Sequence, residues 1–224
     1  MKATTVMRRG TALLTGLILA AFLGGGCGPS SGSHVHWLLY GDSLSQQSAP
    51  YLSQHGTVGN RYYGGSAPCN WLRNLKNDRT NFTPDKVLVQ FIGNTPACLN
   101  GRDPQSAYEH DLVQLVNFWQ AQGVPVTMII SPPTPTDTLA WARQAELTVA
   151  ANRLMPVNDA GKAVLSATGQ FTFLLPCQAS ETRALGCGAE QPGQIRVRDA
   201  DGIHFPKTPY SSGAERFAAA EAGS

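Results

Sequence analysis

Two short motifs near opposite ends of the 224-residue chain carry residue types that could do nucleophilic chemistry together. The first is Gly41-Asp42-Ser43-Leu44-Ser45, which follows an apolar run. A serine at such a strand-to-helix turn lies beside outward-pointing backbone N–H groups, which stabilise developing negative charge. The second is Asp201-Gly202-Ile203-His204-Phe205. A serine hydroxyl attacking a carbonyl must lose its proton to a base that titrates near neutrality, and histidine meets that need. The imidazole in turn needs an acceptor that fixes its tautomer, the role open to Asp201. Read singly, each motif has a plain structural alternative: Ser43 or Ser45 as a helix cap, and Asp201–His204 as a surface turn.

Two further positions could hold the oxyanion. Phe91-Ile92-Gly93-Asn94 ends an apolar run with an amide side chain, and Tyr63-Gly64-Gly65 could set a backbone N–H beside it. Asn94, with N–H groups of a glycine and of Ser43, would make a three-donor oxyanion hole.

These residues need a frame. Apolar runs at 35–40, 86–92, 124–130 and 171–175, with a fainter one at 57–62, are short, rich in β-branched or aromatic residues and bounded by turn formers. That pattern predicts strands of a sheet covered on both faces. Helical spacing appears around Tyr108, Leu112, Leu115, Val116 and Trp119, with Asp103 or Ser106 as the cap. It recurs at 138–154, 160–168 and 212–222, and 69–75 could add a further helix. Alternating strands and helices predict a three-layer α/β/α sandwich around a parallel sheet of about five strands, flavodoxin-like in outline. Reactive groups in such sheets gather outside the carboxyl ends of the strands. The stretches 45–60 and 178–198 read as loops that would set pocket size.

In that order the four blocks resemble the SGNH (GDSL-like) hydrolases, a family named for Ser, Gly, Asn and His. Ser43 matches the first block, Gly64 or Gly65 the second (Gly65 is favoured), Asn94 the third, and Asp201-x-x-His204 the fifth. The segment Gly64-Gly65-Ser66-Ala67-Pro68-Cys69-Asn70-Trp71 is also similar to actinobacterial members. One block departs from the pattern: the usual Gly-x-Asn-Asp is shortened here to Gly93-Asn94-Thr95. The resemblance implies the same sandwich fold and an esterase that works through an acyl-enzyme on Ser43, with His204 as base and Asp201 as its partner. It calls for no metal or organic cofactor. An acyltransferase acting on cell-envelope carbohydrate through the same residues, and a non-catalytic surface protein of the same fold, are the alternatives.

Lys2, Arg8 and Arg9 precede an apolar stretch too short for a comfortable membrane span, and Gly24 to Gly26 lead to Cys27. Residues 1–26 therefore read as an export signal. The Gly26-Cys27 step resembles a bacterial lipoprotein box, although Leu23 lies four residues before the cysteine and Gly24 holds its usual place. Lipidation of Cys27, with 27–33 as tether and 34–224 as the hydrolase domain, is the favoured reading. Ordinary signal-peptidase cleavage, or twin-arginine export through Arg8-Arg9, are the others. Of five cysteines, Cys69, Cys98, Cys177 and Cys187 remain for disulfides in an oxidising compartment. Sequence proximity favours Cys69–Cys98 and Cys177–Cys187 among the three possible pairings. His34 and His36 alternate at a strand start but lack an evident third metal ligand. Lys and Arg are scattered and the net charge is +2, which gives no basis for nucleic-acid binding. The expected partner is a small-molecule, carbohydrate or lipid ester, met by a monomer held at the membrane through its lipid.

Overall fold

The computed structural model describes residues 32–134, 138–164, 174–189, 191–207 and 211–224. The expected signal and most of the tether, including Cys27, lie outside the described residues. Five parallel strands form one sheet in the order β2-β1-β3-β4-β5. They are β1 (Ser33–Gly41), β2 (Val58–Tyr62), β3 (Phe82–Gln90), β4 (Val126–Ile129) and β5 (Val157–Asn158). Alternation along β1 divides the core. Leu38 and Tyr40 face one side with Val87 and Val89, whereas Trp37 and Leu39 face the other with Leu88.

The first side is covered by α2 (Leu75–Asn81), α3 (Pro104–Ala121) and α4 (Ala140–Asn152). In α3 the side chains of Tyr108, Leu112, Leu115 and Trp119 are fully buried, each contributing roughly 1.5–3 kcal/mol on leaving water. Asp103 starts this helix by accepting the Ser106 N–H at 2.9 Å. The opposite side is covered by α1 (Ser43–Leu52) and α5 (Ser212–Ala222), which bury Leu44 and Leu52 against Phe217 and Ala218. The result is the expected three-layer α/β/α sandwich.

Four expectations need correction. The fifth sheet strand is β5, and the run around 171–175 does not supply it: of that run, β6 (Leu174–Pro176) instead pairs antiparallel with β7 (Gln194–Arg196), and residues 171–173 lie outside the described residues. Two paired residues, held between Pro156 and Asp159, are too few to leave an apolar signature in sequence. Residues 45–52, read as loop, belong to α1. Its buried face includes Ser45, Ser48 and Ala49, and Pro50 lies inside it, so the apolar period is faint. The stretch 69–75 forms two 3₁₀ turns, Pro68–Asn70 and Leu72–Asn74, before α2 begins. The stretch expected as a helix at 160–168 shows a 3₁₀ turn at Ala160–Val164, and the rest lies outside the described residues. Among the described residues no helix is long and apolar enough to cross a membrane. Disulfides link Cys69 to Cys98 and Cys177 to Cys187.

Candidate active site

Strands β1, β2 and β3 are neighbours and end side by side, so the residues following Gly41, Tyr62 and Gln90 meet at one sheet edge. Ser43 is the first residue of α1. Gly41 is required beneath it, because a Cβ there would lie 1.9 Å from Ser45 Oγ. Ser45 is occupied elsewhere, donating to Gln90 Oε1 at 2.5 Å, and Gln90 donates to Ser131 Oγ in a buried polar chain. Of the two serines in the motif, Ser43 is therefore the one whose hydroxyl stays clear of this buried chain.

His204 arrives from the loop between β7 and α5. Its Nε2 lies 2.9 Å from Ser43 Oγ, and its Nδ1 lies 2.6 Å from Asp201 Oδ2. Asp201 Oδ1 accepts the N–H groups of Ile203 and His204 at 2.8 and 3.0 Å. Partial burial pushes the Asp201 carboxyl up, but hydrogen bonds from the His204 ring and from these two N–H groups outweigh it and hold it at about 2. An ionised Asp201 can only accept, so Nδ1 carries the proton and Nε2 is left to accept the Ser43 hydroxyl.

The loop that carries the pair is fastened at several backbone groups. Asp199 N–H donates to the His204 carbonyl at 2.8 Å. The buried Arg198 donates to the Ile203 carbonyl and to those of Pro132 and Pro133, the latter two at 3.1 and 2.7 Å. Burial lowers this guanidinium to about 10, with nearby Asp201 opposing, so it stays charged at neutrality. On the other flank, Gln47 Nε2 donates to the Phe205 carbonyl at 2.9 Å, and Phe205 N–H donates to Gln47 Oε1 at 3.1 Å.

The candidate oxyanion donors are less uniform. Gly65 has φ of +82°, which suits glycine, and its N–H and that of Ser43 have no partner among the described residues. The Gly64 N–H is taken by Gln46 Oε1 at 3.0 Å, which leaves Gly65 as the free glycine donor. Asn94 lies at the same edge, but its Nδ2 donates to Asp42 Oδ2 at 3.1 Å and to the Ser66 carbonyl at 3.2 Å. Donation to a substrate oxygen would require it to release the longer of these bonds.

Asp42, Gln47, Ser66, Glu146 and Arg198 support the site and were not singled out from sequence. Asp42 is fully buried, caps α1 by accepting Leu44 N–H at 3.1 Å, and accepts Ile92 N–H at 2.6 Å. Burial pushes its carboxyl up to about 6, against these N–H groups, nearby His204 and the Asn94 amide. Glu146 accepts the adjoining Phe91 N–H at 3.0 Å, and burial raises it well above the carboxylate range. The only signal for Gln47 was its place four residues after Ser43, which has meaning once 43–52 is a helix.

The remaining candidates stand apart. His34 and His36 each meet a different oxygen of Asp85, at 2.9 and 3.3 Å, on an exposed strand start. Among the described residues no group of His, Cys, Asp or Glu is arranged to hold a metal ion. Beside the triad lies a cleft of about 270 Å³ lined by Gln47, Asp199, Asp201, His204 and Lys207. An adjoining groove of about 410 Å³ runs along α1 past Gln46, Pro50 and Tyr51.

Neither a protein-family model nor a curated protein sequence matches the chain. Solved structures do. A Desulfitobacterium hafniense protein assigned to the lipolytic G-D-S-L family is similar at 13% identity and a TM-score of 0.57, over 84% of this chain and 97% of that one. A member of the same lipolytic family from Veillonella parvula is similar at 14% identity and 0.55, over 84% and 96%. A GDSL-like lipase from Bacteroides thetaiotaomicron is similar at 11% identity and 0.54, over 83% and 86%. At these identities the likeness establishes a shared fold, the α/β sandwich of GDSL-type hydrolases.

Proposed function

We propose that the protein is an exported serine esterase that hydrolyses acyl or acetyl esters through an acyl-enzyme on Ser43. The observation that carries this reading is the unbroken relay from Ser43 Oγ to His204 Nε2 at 2.9 Å and from His204 Nδ1 to Asp201 at 2.6 Å. Ser43 attacks the ester carbonyl as His204 takes its proton, and Asp201 stabilises the imidazolium that forms. The oxyanion is held by the N–H groups of Ser43 and Gly65 and, once it turns from Ser66, by the Asn94 amide. His204 returns the proton to the leaving alcohol; it then activates a water that releases the acid and restores Ser43.

Hydrolysis requires that water reach the acyl-enzyme. The side chains of Asp201 and His204 remain 45% and 37% exposed, so water reaches the acyl-enzyme. The disulfides accord with an oxidising compartment. Export through the N-terminal signal, with a lipid on Cys27, completes the reading.

Turnover of short-chain p-nitrophenyl esters tests it. The wild-type protein is expected to turn over and to label at Ser43 with a fluorophosphonate, and Ser43→Ala to do neither. Equal rates for the two forms would refute the assignment.

A further inference from the structure

We infer that Gln47 is a positioning residue that sets the distance between Ser43 and His204, an inference that rests on the esterase reading above. Asp201 cannot set that distance, because all three of its hydrogen bonds stay within its own loop. Arg198 ties the same loop to the carbonyls of Pro132 and Pro133 beyond β4. Gln47 ties it to α1. It lies one turn past Ser43 on the same face of α1, and it grips both the N–H and the carbonyl of Phe205, the residue after His204. Among the described residues, the one other hydrogen bond between α1 and residues 199–207 is the Ser43–His204 contact itself.

The chemistry of the amide explains the choice of residue. A glutamine offers a donor and an acceptor on one planar group, so it pairs with the N–H and carbonyl of one residue as a neighbouring strand would. An ionised glutamate keeps the bond from Phe205 N–H but sets a negative oxygen against the Phe205 carbonyl. Methionine has similar length and makes neither bond. Phe205 itself is fully buried beside Phe217, with their rings 5.4 Å apart, so α5 holds its side chain while Gln47 holds its backbone to α1. Slack at Gln47 is therefore expected to appear as movement of His204 relative to Ser43. Gln47 also lines both clefts, and that lining role predicts a different kinetic signature.

The test compares wild type, Gln47→Met, Gln47→Glu and Ser43→Ala with a p-nitrophenyl ester, counting competent sites by fluorophosphonate labelling and intact mass. Positioning predicts that kcat per labelled site falls by about 10- to 100-fold in Gln47→Met while KM stays within about twofold. The rate of Ser43 phosphonylation should fall in parallel. Gln47→Glu, which keeps one bond and secures the test if the methionine variant fails to fold, should lose less. A loss confined to KM, or confined to the number of labelled sites, overturns the inference, as does unchanged kcat in both variants while Ser43→Ala is inactive. Turnover by Ser43→Ala overturns the esterase reading itself and takes the inference with it.

Discussion

His204 Nε2 and Ser43 Oγ lie 2.9 Å apart although 161 residues separate them in sequence. Nothing local brings them together. Ser43 is delivered by β1, which lies between β2 and β3 in the sheet, and His204 by a loop that Arg198 and Gln47 fasten from two sides. The pair therefore reports on the whole sandwich, and its chemistry can be divided by substitution.

Asp201→Asn separates orientation from proton transfer. An amide at this position no longer enforces protonation at Nδ1, so kcat for ester hydrolysis is expected to fall by about 10³- to 10⁴-fold. The wild-type carboxyl, held at about 2, stays ionised across the usual assay range. Loss of activity on acidification should thus be absent as a separate step belonging to Asp201. A pH–rate profile of wild type, with Asp201→Asn measured beside it, checks both points; a variant within tenfold of wild type would remove Asp201 from the relay.

Asn94→Ala tests the less uniform half of the site. Removing one oxyanion donor typically lowers kcat by about 10²- to 10³-fold with little change in substrate binding. Because Asp42 keeps its bonds from Leu44 N–H and Ile92 N–H when the Asn94 amide is removed, the same variant should leave ground-state geometry at Ser43 intact. Steady-state kinetics with a short ester would show an unchanged kcat if Asn94 served only to tie Asp42 to Ser66.

The contrast between these two halves follows how much of each was legible in the sequence. Ser43 and Asp201–His204 lie in short motifs whose residue types state their chemistry, and the apolar runs that became β1, β3 and β4 were strong enough to place them at one edge. The supporting residues gave no such sign. Asp42, Glu146 and Arg198 matter because they are buried ionisable groups, and burial is a property of the packed chain. Gln47 was hidden because α1 buries Ser45, Ser48 and Ala49 where an apolar stripe would have announced a helix. Strand β5, with two paired residues, fell below the length at which periodicity exists.

Glu221 gives the fold a pH dependence of definite sign. It is fully buried on α5, neither of its oxygens makes a well-formed hydrogen bond among the described residues, and burial pushes it up to about 8 while nearby Ser48 offsets this slightly. The folded state thus holds a proton that the unfolded chain releases near 4.5, so stability falls as pH rises from about 4.5 to about 8. Glu221→Gln removes that dependence and should gain on the order of 5 kcal/mol at alkaline pH, at about 1.4 kcal/mol per pKa unit. Asp42, raised from 3.8 to about 6, keeps its own fall over a lower window in both proteins. Urea unfolding across the range would expose an error if the two curves ran parallel.

Gly41→Ala probes the turn under Ser43. The added methyl would lie 1.9 Å from Ser45 Oγ and 2.5 Å from Ser45 Cβ, so either the Ser45–Gln90 bond or the backbone must yield. A loss of about 1–3 kcal/mol is expected, as for other overpacked interiors, together with reduced turnover. Adding Ser45→Gly removes the nearest clash and should restore part of the thermal stability. A single variant as stable as wild type would show that the turn is looser than its contacts indicate.

The two disulfides should differ in what they protect. Cys69 lies in the 3₁₀ turn after Gly65 and Ser66, and Cys98 in the turn Ala97–Leu99 after Asn94, so this bridge staples the two segments that carry the proposed oxyanion donors. Cys177 and Cys187 are only 10 residues apart in a loop that reaches α5 through the Glu181–Arg216 pair, where Arg216 Nε meets Glu181 at 2.7 Å. Replacing either pair with serines should cost about 2–4 kcal/mol, with the 29-residue separation of Cys69–Cys98 placing it at the upper end. The kinetic effect should be unequal. Cys69→Ser with Cys98→Ser should lower kcat at temperatures where the protein remains folded, because Gly65 and Asn94 lose their common tie. Cys177→Ser with Cys187→Ser should shift Tm and leave kcat near the wild-type value. Equal kcat for the two double variants, measured well below either Tm, would show that the oxyanion segments hold their places without the first bridge.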